Sequence, residues 1–465
     1  MRKWLYCGGV CLCCAACTVG PDYKSSAVYS PQTVDAELNI KLAQSVPQNW
    51  YKKLNDERLE QLIAAGLRHN TDIKTAISRI EQARATLQID KTAYLPQISG
   101  QGSYNYQKAD NNVGTAATAR YYKAGFDASW ELDLWGKGRR QTEADEATLN
   151  AMQYNLENAR LSVAAEIAFD YINLLQNVEN LRFARHNQKL QQEIFASVYA
   201  KYKNGLSDEM AYEQSAFLLE NTKAQISAYQ TQIENYKNAL AVLIGMLPSK
   251  IDIDENLSSP LFAANSADYR QQILHLPANV VRLRPDVAAA EENLIAQNAL
   301  VGKAVAELYP DVSISGLWGF AAQKTDNLFN SGNKQYSYEP LVTLPLLDWN
   351  RLQNNVRLQK YIRDEALLNY KQTVLNALSE IKNTSYAYLE TLESNKHKLR
   401  ALHNMQKTVR LAQDKYNNGL IEFSDVLSAQ QNLISAQENY VAGRADEWQN
   451  LIAYYKAVAA PINSN

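Results

Sequence analysis

The sequence predicts a mainly helical chain with membrane β-barrel strands, in which a unit of helix, strand pair and long helical hairpin occurs twice. Three observations lead there. The chain matches itself, without a gap, at a displacement of 214 positions. Two stretches, about 66 residues from Arg139 to Asn204 and about 68 from Arg351 to Asn418, hold neither Gly nor Pro. Ahead of each stretch lie two segments whose residues alternate apolar and polar with period two.

The chain has 465 residues, 46% of them hydrophobic, which is ample for a large core. With 47 basic against 49 acidic residues the net charge is -2, so no broad basic surface exists for nucleic acid. All five cysteines (Cys7, Cys11, Cys13, Cys14, Cys17) fall in the first seventeen residues, leaving no thiol elsewhere for disulfide, metal or catalysis. Arg2 and Lys3 precede the apolar stretch Trp4 to Ala16, which suits a secretory leader and is too short to span a bilayer. Cys14-Ala15-Ala16-Cys17 is similar to a lipoprotein cleavage box, with Cys14 where Leu is usual. Residues 1–16 therefore read as signal peptide, Cys17 as the acylated anchor, and 17–55 as an anchored extended segment. Thr18, in place of Asp, after the cysteine resembles a signal for the outer membrane.

The first repeat occupies 56–246. A helix over about 56–93 ends before Pro96, because proline disfavours helical geometry in the residue before it. Strands follow at about 97–107 and 119–134. In the first, Ile98, Gly100, Gly102, Tyr104 and Tyr106 alternate with polar or small neighbours; in the second, Tyr122, Phe126, Trp130 and Leu132 do the same. A long helical hairpin over 139–244 turns at Gly205. Residues 247–283 read as a linker and equatorial region, where helical periodicity lapses.

The second repeat, 284–460, has the same parts: a helix at 286–308 before Pro310, strands at about 311–323 and 336–347, and a hairpin over 351–458 turning at Gly419. Residues 461–465 are a short tail. Pro96 falls on Pro310, Trp135 on Trp349, Lys201-Tyr202 on Lys415-Tyr416, and Asn204-Gly205-Leu206 on Asn418-Gly419-Leu420. Helices of this length, roughly 100 Å at 1.5 Å per residue, must pack side by side as coiled coils. Leu190, Ile194 and Val198 mark one expected seam.

Strands of 10 to 14 residues cross a hydrocarbon core at a tilt, and the leader with the strand-end aromatics favours a membrane barrel over a soluble sandwich. The stretches Lys108 to Thr118 and Thr325 to Gln335 then join the strands of each pair as outward loops. Four strands do not close such a barrel, and an open edge in lipid leaves backbone groups unpaired, so the chain is expected to oligomerise.

The chain resembles the TolC-like outer-membrane efflux factor family, in its lipoprotein branch. The resemblance rests on Cys17-Thr18-Val19-Gly20-Pro21-Asp22-Tyr23, Trp130-Glu131-Leu132-Asp133-Leu134-Trp135-Gly136-Lys137 and Arg284-Pro285-Asp286-Val287. Thr343-Leu344-Pro345-Leu346 and Tyr416-Asn417-Asn418-Gly419-Leu420, with Asp425-Val426-Leu427 after it, complete it. It implies a homotrimeric tube in the outer membrane of a Gram-negative bacterium, with a twelve-stranded barrel and a long periplasmic extension. It also implies a periplasmic adaptor and an inner-membrane pump, commonly of the resistance-nodulation-division type. The implied function is a passive exit duct for small molecules such as drugs. The alternatives are a type I protein-secretion duct or a periplasmic coiled-coil scaffold.

Two groups of residues then carry expectations. Gly205, Leu206 and Ser207, with Gly419, Leu420 and Ile421, form paired turns whose exposed Leu is the expected adaptor contact, helix against helix. Asp425 stands where the family places a carboxylate ring at the pore mouth, and Tyr416 is placed to hydrogen-bond a neighbouring helix. Ser428 replaces a frequent second carboxylate and Ile421 an Arg found in some members, which implies a weaker polar lock. The five histidines lack ligand spacing, and no phosphate loop or nucleophile elbow is present, so no catalytic, metal or cofactor site is expected.

Overall fold

A computed structural model describes residues 18–24, 49–108, 118–248 and 280–458. The signal peptide, Cys17 and the bulk of the 247–283 segment lie outside the described residues, as does the loop between the first two strands. In order the elements are α1 (Glu57–His69), α2 (Thr71–Ala93), β1 (Gln97–Lys108), β2 (Thr118–Leu132), α3 (Lys137–Lys203) and α4 (Glu209–Leu243). After them come α5 (Pro285–Ala306), β3 (Asp311–Ala322), β4 (Lys334–Thr343), α6 (Trp349–Asn417) and α7 (Phe423–Val458). The chain divides into two compact units. Among the described residues, one takes in 18–24, Ser78–Gln153 and Ala289–Lys371; the other holds the rest.

The first unit carries one antiparallel sheet in the order β1-β2-β3-β4. Its two hairpins have the same register: Gln97 faces Ser129 in one, and Asp311 faces Thr343, each displaced by 214, in the other. Even-numbered aromatics share a face, as period two demands. Tyr104 meets Tyr122 at 4.7 Å between ring centroids, and Phe126 stacks on Trp318 at 6.3 Å. β2 stops at Leu132, short of the expected 134, because Asp133 turns out of the strand to accept the backbone N–H of Arg139 at 3.0 Å and so caps α3. β4 stops at Thr343, short of the expected 347, because Pro345 has no N–H to donate. Thr325–Asn327 and Ser331–Asn333 form short 3-10 turns between β3 and β4.

The second unit is helical. Trp50, fully buried, stacks on Tyr455 at 6.0 Å, and Asp56 caps α1 by accepting from the Leu59 N–H while also receiving the Tyr171 hydroxyl. The expected single helix over 56–93 is two helices. Buried Asn70 sits between them with ψ 139°; its Oδ1 accepts the N–H groups of Asp72 and Ile73, and its amide donates to the Leu243 carbonyl at 2.9 Å. Hydrophobic periodicity runs straight across such a junction, because one short polar residue serves as end of one helix and cap of the next.

The second repeat has the same junction. Arg284 stands 214 positions after Asn70 and donates at 2.7 Å to the Ala457 carbonyl, itself 214 positions after Leu243. Each contact satisfies a carbonyl at the C-terminal end of a return helix, where the intrahelical ladder has run out. The guanidinium brings a charge that the amide does not, and Asp286 and Glu380 pair with it at 2.8 and 2.7 Å.

The α3 seam differs from the expected one. Leu190 is 40% exposed, and the buried positions are Asn187, Gln191, Ile194 and Val198. A strict four-residue step drifts ahead of a 3.6-residue turn, so the stripe alternates steps of four and three. The polar positions in it are paired in part: the Asn187 amide donates to Gln437 Oε1 at 2.7 Å.

Candidate gate, docking tips and anchor

Both hairpins of the second unit turn in the same way. The Leu206 N–H donates to the Lys201 carbonyl at 2.8 Å and the Gly205 N–H to Tyr202 at 3.0 Å. In the second hairpin Leu420 donates to Lys415 at 2.9 Å and Gly419 to Tyr416 at 3.0 Å. This is the paired-bond closure that ends a helix with a left-handed residue. Gly205 and Gly419 have φ of 72° and 69° with open space around them, so backbone angle alone demands glycine. The closure throws the next residue outward: Leu206 is 77% exposed and Leu420 71%. Ser207 is half-buried, and Asp208 beyond it caps α4 through the Ala211 N–H.

The turns share a small core. Ile194, Val198, Ala211, Phe423 and Val426 are buried together, with Tyr212, Tyr416 and Ile421 packed against them. Ile421 thus belongs to this core and is not presented outward like Leu420. The Tyr416 ring lies edge-on to Phe423 at 5.4 Å, and the Lys201 ammonium sits 4.4 Å from its centroid. That cation–π contact ties α3 of the first hairpin to α6 of the second. Among the described residues the Tyr416 hydroxyl has no hydrogen-bond partner within the chain. Tyr202, the equivalent in the first hairpin, stacks on Tyr212 at 5.4 Å. Asp425 is exposed in the first turn of α7, between buried Phe423 and Val426, and Ser428 is exposed one turn on. Sequence reasoning missed Lys201, although the repeated Lys-Tyr pair at 201–202 and 415–416 was its signal.

At the strand-to-helix joint of the first unit, the residues after Cys17 are strapped down. The Val19 N–H donates to the Trp135 carbonyl at 3.1 Å, and the Asn298 amide to the Pro21 carbonyl at 3.0 Å. Buried Arg140 bridges Asp22 and Glu143, each at 2.7 Å, and the Tyr23 hydroxyl donates to Glu291 at 3.0 Å. Trp135 stacks on Tyr309 at 4.8 Å and donates its indole N–H to the Pro310 carbonyl at 2.8 Å. Among the described residues no group of His, Cys, Asp and Glu is arranged to hold a metal ion. No helix there is long and apolar enough to cross a membrane.

Comparison with known proteins places this geometry. The profile of the outer membrane efflux protein family matches residues 62–246 and 276–460, one match per repeat. The chain is 25% identical to the cation efflux system protein CusC of Escherichia coli O6:H1 over 456 residues, covering 97% of this chain and 96% of CusC. It is 24% identical to the probable outer membrane lipoprotein SilC of Salmonella typhimurium over 428 residues, covering 90% of each. The solved CmeC outer membrane channel of Campylobacter jejuni superposes with a TM-score of 0.86 at 27% identity, covering 97% of this chain and 96% of that one. The duplicated hairpins, the four-stranded sheet and these matches agree: the chain belongs to the outer membrane efflux protein family, as a non-enzymatic outer-membrane channel of an efflux system.

Proposed function

We propose that this channel is the passive exit duct of a tripartite pump that expels small molecules such as drugs. Three copies form it, anchored to outer-membrane lipid through Cys17. Its tips dock to a periplasmic adaptor, which joins them to an inner-membrane pump of the resistance-nodulation-division type. The observation that carries this reading is the pair of identical turns, each presenting one leucine more than 70% exposed at the end of a long hairpin. An apolar side chain held out by a rigid closure is suited to a groove on a helical partner. Members of the family form trimers and work with an adaptor and an inner-membrane pump, which supports the same arrangement here.

The strap from Thr18 to Tyr23 supports the anchor. It fixes Val19, two residues after Cys17, beside Trp135, where β2 has ended and α3 begins. The likeness to a relative described as a lipoprotein agrees. At the tips, Asp425 supplies the carboxylate ring of the gate. Tyr416 acts there through its ring, holding the second hairpin against Lys201 of the first.

The test is Leu206→Asp with Leu420→Asp. The closures that display these residues are backbone bonds, so the fold should survive. The double variant is expected to leave multimers in the outer membrane and to abolish efflux, read as drug accumulation in cells. Wild-type efflux in that strain would remove the docking assignment.

A further inference from the structure

We infer that the outward end of the sheet's apolar face docks a phosphorylated glycolipid, the lipopolysaccharide of the outer leaflet, through Lys108, Arg120, Lys324 and Lys334. The inference rests on the reading of this sheet as part of an outer-membrane barrel, and it adds which lipid headgroup that barrel meets and through which residues.

The first observation is where charge falls on the sheet. Successive residues of a strand point to opposite faces, so residues of one parity share a face. The even face is apolar, and Ile98, Phe126, Trp318 and Tyr338 stand exposed on it. Within the four strands that face carries three charges, Lys108, Arg120 and Lys334, and all are basic. The odd face carries Lys123 with Asp127, Glu131, Asp311 and Glu339, so basic charge is not a general property of the sheet.

The second is position along the strands. Pairing sets Arg120 opposite Tyr106 and Lys334 opposite Phe320, and Lys108 lies one rung beyond Arg120. β3 ends with Ala322 opposite Tyr122. Lys324, its backbone still extended at φ -128° and ψ 144°, stands two residues past that pair, as Arg120 does. Each strand thus has a basic residue at the end away from the helices. At the other end, where α2, α3, α5 and α6 join, the same face closes with Ile98, Leu132, Val312 and Val342. The steps from Leu132 to Tyr122 measure about 33 Å along the strand, or about 25 Å in height at a tilt of about 40°, which is the height of an outer-membrane apolar band. Arg120 and its companions therefore stand at headgroup level, where long basic side chains lay their stems on apolar surface and place their charge in the polar zone.

The third is what surrounds them. Tyr104 and Tyr122, in contact at 4.7 Å, lie on the membrane side of Arg120, as aromatic residues do at a membrane interface. All four basic side chains are exposed, and none has an ion-pair or hydrogen-bond partner among the described residues. On the odd face, by contrast, Glu131 pairs with Lys137 and Asp127 accepts from the Gln101 amide. A guanidinium fork matches two phosphate oxygens, and ammonium groups add point charges beside it. Lipopolysaccharide carries its phosphates at the hydrocarbon boundary of the outward leaflet alone, and the basic residues occupy the outward end alone. An anionic phospholipid of the inner leaflet would meet the helix end, where this face has no charge.

The test uses purified multimers of the full-length chain in nonionic detergent, titrated with lipopolysaccharide and passed through gel filtration to measure retained lipid. Wild type should retain it and release it as salt rises, because exposed charges are screened. Lys108→Gln with Arg120→Gln, and separately Lys324→Gln with Lys334→Gln, should each bind about twenty-five-fold more weakly, about fivefold per charge if the charges add. Lys123→Gln, at the same end of the opposite face, should bind as wild type does. Dephosphorylated lipopolysaccharide and phosphatidylglycerol should be retained poorly, and inorganic phosphate at the lipid's own concentration should not displace it. Equal retention of either substitute lipid, displacement by phosphate, undiminished binding in both double variants, or a matching loss in Lys123→Gln each overturns the assignment. Salt dependence and the dephosphorylated probe need wild type alone, so they decide the matter even where a double variant does not assemble. Outer-membrane multimers that retain no lipopolysaccharide overturn this inference and leave the exit-duct reading standing; absence of the chain from the outer membrane removes both.

Discussion

Tyr416 and Asp425 sit nine positions apart, yet the fold gives them different surroundings. The tyrosine is clasped within its own chain, between the Lys201 ammonium and Phe423, while the aspartate faces solvent. A contact of the Lys201 kind contributes about 1 kcal/mol at a partly exposed site. In the proposed trimer with the proposed gate, loss of the ring from three symmetric copies would weaken the closed tips by about 3 kcal/mol if the copies add. Tyr416→Ala should accordingly raise the open probability of purified channels in planar bilayers, while Tyr416→Phe, which keeps the ring, should change it little. Asp425→Ala should abolish cation preference and block by divalent ions. If selectivity and block persist in the Asp425 variant, the constriction lies elsewhere. The sequence pointed to both residues; it did not show that the tyrosine ring packs against Lys201, because that partner is some two hundred residues away in the chain.

At the scale of elements, the fold turns on two equivalent junctions. Asn70 closes α1, caps α2 and binds the Leu243 carbonyl, and Arg284 reaches the Ala457 carbonyl in the same way. Asn70→Ala removes a cap and leaves a buried carbonyl unpaired, at a cost of about 2 kcal/mol. A lower denaturant midpoint or dissociation temperature for the variant checks this; a midpoint equal to wild type would mean that water replaces the amide. The long helices were legible from the Gly- and Pro-free runs, and their turns from Gly205 and Gly419. The break at Asn70 was not, since both flanking segments carry the same apolar stripe. Nor was the true α3 seam, where Asn187 and Gln191 are buried and Leu190 is not.

For the whole molecule, the strap from Thr18 to Tyr23 is distinct from the proposed anchor at Cys17. Its hydrogen bonds hold the chain to Arg140, Trp135 and Asn298 regardless of what is attached to Cys17. Cys17→Ser should therefore take up no labelled fatty acid and accumulate as unprocessed precursor, while its strands and hairpins keep their fold. Label entering that variant would show that the anchor is another residue.

The sequence by itself determined the duplication, the alternation of strands and the two hairpin turns. Each of these is a local rule, namely spacing, period, or a backbone angle that only glycine meets without strain. Only the tertiary structure decided that Tyr416 faces Lys201, that Arg140 holds the N-terminal strap, and that Leu358 and Tyr361 stand exposed where Ala144 and Ala147 are buried. Those facts depend on which distant segment arrives beside each side chain, and no period or motif along the chain encodes that. The two levels meet at the displacement of 214 positions. It is visible as matched letters in the sequence, and the structure gives it meaning by keeping the same strand register in both hairpins and the same carbonyl contact at both helix junctions.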